Sequence, residues 1–185
     1  MKKIFNEDIL EEALKWLDKE LNVILATVIS TWGSSPRPVS SQMVINNKNK
    51  FSGSVSGGCV EANVIGECKK LIKEKKLYKK IEFKVSDDKA WKTGLACGGQ
   101  ISVLLEKIDI KKKIILQKII KKKKEKTPFA VITDLKSGGS FIFEKNKKLD
   151  NKFKNYSKKI NLHLDSKKNG LIKNTNMFIK NYDKP

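Results

Sequence analysis

The sequence predicts an α+β protein, a mixed β-sheet with helices packed on it in a layered α/β sandwich. Three observations predict it. Apolar residues recur at helical spacing in three separated segments. Runs rich in β-branched residues stand between and after those segments. Clusters of Gly, Pro, Ser and Asn punctuate the joins. Apolar residues make up 39% of the 185 residues, enough for a real core, and charged residues 32%, enough for a solvated surface. The length suits one domain of about 100–200 residues. The expected organisation is a single domain over residues 1–185, with its loop motifs in 1–107 and a hairpin-rich part in 128–185.

The elements follow in order. Ile9, Leu10, Ala13, Leu14 and Leu17 mark the first helix, with Asn6 as its cap and Glu7 and Asp8 at its positive end. Asn22–Ser30 reads as a buried strand. Thr31–Ser41 holds two prolines and a glycine in eleven residues and reads as irregular. Gln42–Asn46 and Phe51–Val55 are short strands around a turn. Val60, Val64, Ile65, Cys68, Leu71 and Ile72 mark one face of a second helix. Lys79–Val85 is a strand, Ser86–Gly99 a long loop, and Gln100–Glu106 a strand. Ile110, Ile114, Ile115 and Ile119 mark a third helix, ended by lysines and Pro128. Phe129–Leu135 and Ser140–Glu144 form a hairpin around Lys136-Ser137-Gly138-Gly139. Asn151–Lys159 is a short helix, and Gly170–Lys173 and Met177–Tyr182 are two further strands.

Charge and cysteine content exclude several classes. The net charge of +20 invites a nucleic-acid reading. Yet Arg37 is the only arginine among 40 basic residues, and nucleic-acid surfaces rely on the bidentate guanidinium. Lysine runs such as Lys111–Lys113 and Lys121–Lys124 read as solvated helix faces and ends, which argues against nucleic acid as a partner. In a chain that otherwise uses lysine, the single Arg37 points to a need for guanidinium geometry. The three cysteines are odd in number and form no C-x-x-C, so neither a disulfide framework nor a metal site is expected. No apolar run approaches the roughly 20 residues that span a bilayer. The N-terminus lacks an apolar stretch of the secretory type, so the expected location is the cytoplasm, with no membrane partner.

Three loops carry the candidate chemistry. In the first, Trp32-Gly33-Ser34-Ser35-Pro36-Arg37-Pro38, two prolines stiffen the frame around Arg37, a presentation suited to gripping an anion. Trp32 either stacks on a flat heterocycle or plugs the edge of the core. The second, Gly53-Ser54-Val55-Ser56-Gly57-Gly58-Cys59-Val60-Glu61, runs from a strand into a helix. Its unpaired helix-start N–H groups, glycines and two hydroxyls suit a phosphate or another anion. A tight strand–helix turn with Cys59 as a small cap residue accounts for the same pattern. A thiolate at Cys59 is stabilised by the helix start, whereas Cys68 falls on the apolar helix face and reads as core. The third loop, Gly94-Leu95-Ala96-Cys97-Gly98-Gly99, leaves Cys97 sterically open to hold a soft metal, carry sulfur or act as a nucleophile. It is equally readable as a loop cysteine without chemistry.

These motifs, in this order, resemble the N-terminal domain of the XdhC/CoxI family, on Ala26–Ile45 (ATVISTWGSSPRPVSSQMVI), Phe51–Ile65 (FSGSVSGGCVEANVI) and Val85–Glu106 (VSDDKAWKTGLACGGQISVLLE). The resemblance implies an accessory role in molybdenum enzyme maturation: a chaperone that transiently holds molybdenum cofactor, supports its sulfuration and delivers it to a xanthine or carbon monoxide dehydrogenase. It implies a molybdenum hydroxylase as client and a cysteine desulfurase as a further partner. The cofactor is a pterin dithiolene with a phosphate or dinucleotide tail. The candidate contacts are Trp32, Ser34, Ser35, Arg37, Ser54, Ser56, Gly57, Gly58, Cys59, Glu61, Cys97, Gly98 and Gly99, with Cys97 and Cys59 as the candidate thiols. Family members commonly continue into a Rossmann-like C-terminal domain. No G-x-G-x-x-G occurs in this chain, so the expectation is that such a domain is absent from it: either the chain is a fragment, or the partner domain is a separate polypeptide, and a homo-oligomer is a further way to complete the site. The expected role is a non-catalytic maturation factor. The alternative is an enzyme that transfers sulfur or a nucleotide through Cys97 or Cys59.

Overall fold

The computed structural model describes residues 8–33, 35–56, 59–85, 99–145 and 151–182. The chain divides into two compact units, Met1–Ile110 and Lys111–Pro185.

The first unit is built on a five-stranded sheet in the order β3-β2-β1-β5-β4. Its strands are β1 (Val23–Gly33), β2 (Gln42–Asn46), β3 (Phe51–Gly53), β4 (Tyr78–Val85) and β5 (Gly99–Lys107), and its helices are α1 (Ile9–Leu17) and α2 (Cys59–Lys73). The connection through α2 carries the chain from one edge strand, β3, to the other, β4, and this crossing lays the helix over one face of the sheet. Val60, Val64, Cys68 and Leu71 of α2 join Ile24, Ala26 and Val28 of β1, Met43 and Ile45 of β2, and Ile101, Val103 and Leu105 of β5 in one core. Ile65 and Ile72 pack against that core, so the face marked by the sequence is the buried one. α1 starts at Asp8, whose carboxylate accepts from the Leu10 N–H at 3.1 Å. The helix cap is therefore Asp8 rather than Asn6. Leu10, Ala13 and Trp16 are its buried residues.

The second unit holds a four-stranded sheet in the order β7-β6-β9-β8. It comprises α3 (Ile110–Lys124, whose first residue ends the first unit), β6 (Phe129–Asp134), β7 (Ser140–Phe143), a 3-10 turn (Asn151–Tyr156), α4 (Ser157–Asp165), β8 (Gly170–Leu171) and β9 (Met177–Tyr182). Ala130, Ile132, Phe143, Met177 and Ile179 bury against Ile160 of α4, with Phe153 and Tyr156 packed alongside. The β6–β7 hairpin closes as expected: Asp134 accepts from the Lys136 N–H at 2.9 Å and the Ser137 hydroxyl at 2.8 Å, and Gly138 takes φ +69°.

The α+β class holds. The sheets differ from the expectation of one mixed sheet: there are two, and every described pairing is antiparallel. Most strand connections return directly to a neighbouring strand, which dictates antiparallel pairing. The α3 face also differs. Lys112, Leu116, Ile119 and Ile120 are its buried residues, while Ile110 and Ile114 are exposed. Lys112 therefore does not belong to a solvated face; its ammonium donates to the Ser140 hydroxyl at 2.6 Å, and that hydroxyl lies 2.9 Å from Thr133 Oγ1. A lysine stem is apolar enough to lie buried when its head is hydrogen-bonded, and composition alone cannot show that.

Candidate functional site

The candidate site grows from one end of the first sheet. β1 is longer than the sequence suggests: Thr31, Trp32 and Gly33 continue the strand, paired with Ile101, Gln100 and Gly99 of β5. The register shifts between Val28 and Ser30, a bulge of the kind that re-aims a strand near its end. Where the strand shifts, the returning chain closes on it: the Val28 N–H donates to the Ser41 carbonyl at 2.9 Å, and the Ser40 N–H to the Val28 carbonyl at 2.8 Å. β2 starts only at Gln42, opposite Thr27, so Thr31–Gly33 extend past it. The prolines were thus compatible with a strand that stops just short of them.

Gly99 pairs with both Gly33 and Val85. The segment leaving β1 and the segment joining β4 to β5 therefore depart from the same sheet end. The second motif leaves the sheet in the same direction but further back: Gly53, the last residue of β3, pairs with Met43, which pairs with Ala26 rather than with the end of β1. Gly53 has φ +87°, and a Cβ there would meet the Gln42 carbonyl oxygen at 2.4 Å. Only glycine lets the second motif turn away so close to β2.

A side-chain chain ties the first two motifs together. The Arg37 Nε–H donates to Ser54 Oγ at 3.2 Å, and the Ser54 hydroxyl donates to the Glu61 carboxylate in the first turn of α2. Ser35 donates to the Arg37 carbonyl at 2.9 Å, which holds the turn that presents the guanidinium. Arg37 is exposed. Besides the Nε bonded to Ser54, the guanidinium has two Nη groups, donors of the kind that suit an anion. Ser56, by contrast, is buried. Trp32 is 76% exposed, so it does not plug the core.

Ser34, Gly57, Gly58, Cys97 and Gly98 lie outside the described residues, as does the side chain of Cys59. Cys59 is the first residue of α2, and Cys97 stands two positions before Gly99 in the chain. Cys68 is fully buried in the core, and burial, reinforced by the Glu67 carboxylate, pushes its thiol up to about 12. It is an inert structural cysteine, as its place on the apolar face predicts. Glu67 itself is held below the usual carboxylate range by hydrogen bonds from Lys70 and Lys79, each at 2.7 Å. No group of metal-ligating side chains occurs among the described residues, and no helix among them is long and apolar enough to cross a membrane. Two residues without a sequence signal come into the same region: Lys84 and Gln100, which pair with each other and, through Gln100, with Trp32. Only strand register brings them together.

The fold is α+β, and its first unit carries an exposed guanidinium tied to the first turn of α2 and an exposed indole near the end of β1. Residues 16–79 match the model of the XdhC and CoxI family. Over 101 residues the chain is 31% identical to the molybdenum cofactor insertion chaperone PaoD of Escherichia coli (strain K12), covering 54% of this chain and 31% of that protein. Over 104 residues it is 29% identical to a probable xanthine dehydrogenase subunit of Bacillus subtilis (strain 168), covering 56% and 32%. The match thus spans about a third of the length of these curated relatives. A crystal structure of a xanthine dehydrogenase from Bacillus halodurans superposes with a TM-score of 0.68 at 22% identity, over 94% of this chain and 52% of that one, which shows a shared fold.

Proposed function

We propose that the chain is an accessory factor that binds molybdenum cofactor and assists its insertion into a molybdenum hydroxylase of the xanthine or carbon monoxide dehydrogenase type. The observation that carries this reading is the Arg37–Ser54–Glu61 chain, which fixes an exposed guanidinium in the segment that follows the exposed Trp32 and that matches the family model. The residues suit the guest. Paired Nη donors fit a phosphate or pyrophosphate tail, and an exposed indole fits a pterin ring. The cofactor is cargo here, and its redox chemistry belongs to the client. This chain's residues bind it, orient its tail and release it. The similarity to a protein named as a molybdenum cofactor insertion chaperone supports the reading. Sulfuration, in partnership with a cysteine desulfurase, belongs to the same proposal and rests on Cys97 and Cys59 as the candidate thiols.

The test mixes purified protein with released molybdenum cofactor and separates bound from free by gel filtration. Molybdenum and pterin are expected to co-elute with the chain, and the loaded protein to activate cofactor-free xanthine dehydrogenase faster than free cofactor does. Neither retention nor activation, with the chain alone or joined to a Rossmann-like partner, would sink the proposal.

A further inference from the structure

Trp32, Gln100 and Lys84 occupy one row across three adjacent strands: Trp32 of β1 pairs with Gln100 of β5, and Gln100 pairs with Lys84 of β4. Directly paired residues of antiparallel strands project their side chains on the same face. The row therefore sets an indole, an amide and an ammonium side by side, at the sheet end where the first motif begins. Trp32 and Lys84 are exposed, and Gln100 is half-buried between them. The indole, held on a paired strand, keeps three quarters of its surface in water and so lies outside the core.

The spacing selects the class of partner. Two interstrand steps put Trp32 and Lys84 about 9.5 Å apart at the backbone. A planar ring in contact with a group on each face needs roughly 7–8 Å between those groups. A single flat ring system thus fits between the indole and the lysine stem, above Gln100. A second stacked ring does not. The amide offers a donor and an acceptor to the ring's edge, which favours a nitrogen heterocycle with an alternating donor–acceptor edge. The Lys84 ammonium favours an anionic substituent on the ring. The neighbouring carboxylate on this face, Glu82, is paired with Lys80 at 2.8 Å and held below the usual carboxylate range by it, so its charge is largely compensated.

We propose that Trp32, Gln100 and Lys84 form a stacking slot for one planar nitrogen heterocycle bearing an anionic group. This deepens the cofactor reading and rests on it: the row offers a place for the ring, on the sheet face opposite α2. The experiment titrates the full chain with pterin-6-carboxylate, which carries ring, edge and anion but no molybdenum, by isothermal calorimetry at low salt. Thermal melts check that each variant is folded. Trp32→Ala is expected to weaken binding tenfold or more, and Trp32→Phe to retain most of it. Gln100→Ala and Lys84→Ala are each expected to weaken it several-fold. The Lys84→Ala loss should shrink as salt is raised, because salt screens the wild-type ion pair. Wild-type affinity in all three alanine variants, or no wild-type binding at millimolar ligand, overturns the slot. So does a Trp32→Ala variant that keeps pterin binding but loses binding to the client enzyme, which would make the indole a protein-docking residue. Retention of molybdenum cofactor by folded Trp32→Ala, Gln100→Ala and Lys84→Ala variants would leave the maturation reading standing while the slot fails.

Discussion

Replacing Gly53 by alanine probes the turn that lets the second motif leave the sheet. The residue sits at φ +87°, and the added Cβ would lie 2.4 Å from the Gln42 carbonyl oxygen and 3.2 Å from both Met43 Cα and Ile9 Cγ2. Left-handed backbone costs an L-residue about 1–2 kcal/mol. The oxygen in the way is also the acceptor of the Ser54 N–H at 3.0 Å, and disturbing that bond costs about 0.5–1.5 kcal/mol. Together these give a loss of about 2–3 kcal/mol. With a urea m-value of about 1–3 kcal/mol/M, the midpoint falls by about 1 M or more. Tryptophan fluorescence is a selective assay, because residues 111–185, the second unit, contain no tryptophan. Gly66→Ala is the matched control. Gly66 lies inside α2 with nothing within 4 Å of an added Cβ, so alanine should stabilise by about 0.5–1 kcal/mol. A Gly53→Ala midpoint equal to wild type, or a Gly66→Ala loss as large as that of Gly53→Ala, would refute the steric account.

Three further outcomes follow. Arg37→Lys keeps the charge but not the Nε bond to Ser54 or the paired Nη donors; cofactor retention should fall tenfold or more with the melting curve unchanged, and Glu61→Gln should fall between it and wild type in the same gel-filtration assay. The Cys68 thiol, raised to about 12 from an ordinary 9.0, is protonated in the fold where the unfolded chain ionises it. Its contribution is therefore complete below about pH 9 and lost as pH rises toward about 12; alkaline unfolding should be shallower in Cys68→Ala, and native Cys68 should resist alkylation at pH 8 until urea is added. Glu67 is the opposite case: its lowered value means the α2–β4 link to Lys79 acts above the ordinary carboxylate range and is lost as pH falls through the folded value, so Glu67→Gln should flatten the acid limb of the stability–pH curve, with a smaller effect in high salt.

The sequence alone determined the helix-bearing faces and most strands of the first unit. Val60, Val64, Cys68 and Leu71 announced their burial by spacing, because a helix repeats every 3.6 residues whatever it packs on. The single Arg37 and the glycine-rich motifs likewise stood out as a candidate site by residue type. Register, sheet order and exposure were decided only by the tertiary structure, since a strand does not encode its neighbour. Thus Trp32 was open to both a core and a ligand role until pairing with Gln100 carried it past the end of β2 into water. Lys112 looked solvated until Ser140 was found against its ammonium. Lys84 and Gln100 carried no signal at all, because their proximity to Trp32 comes from hydrogen bonds between strands distant in the chain.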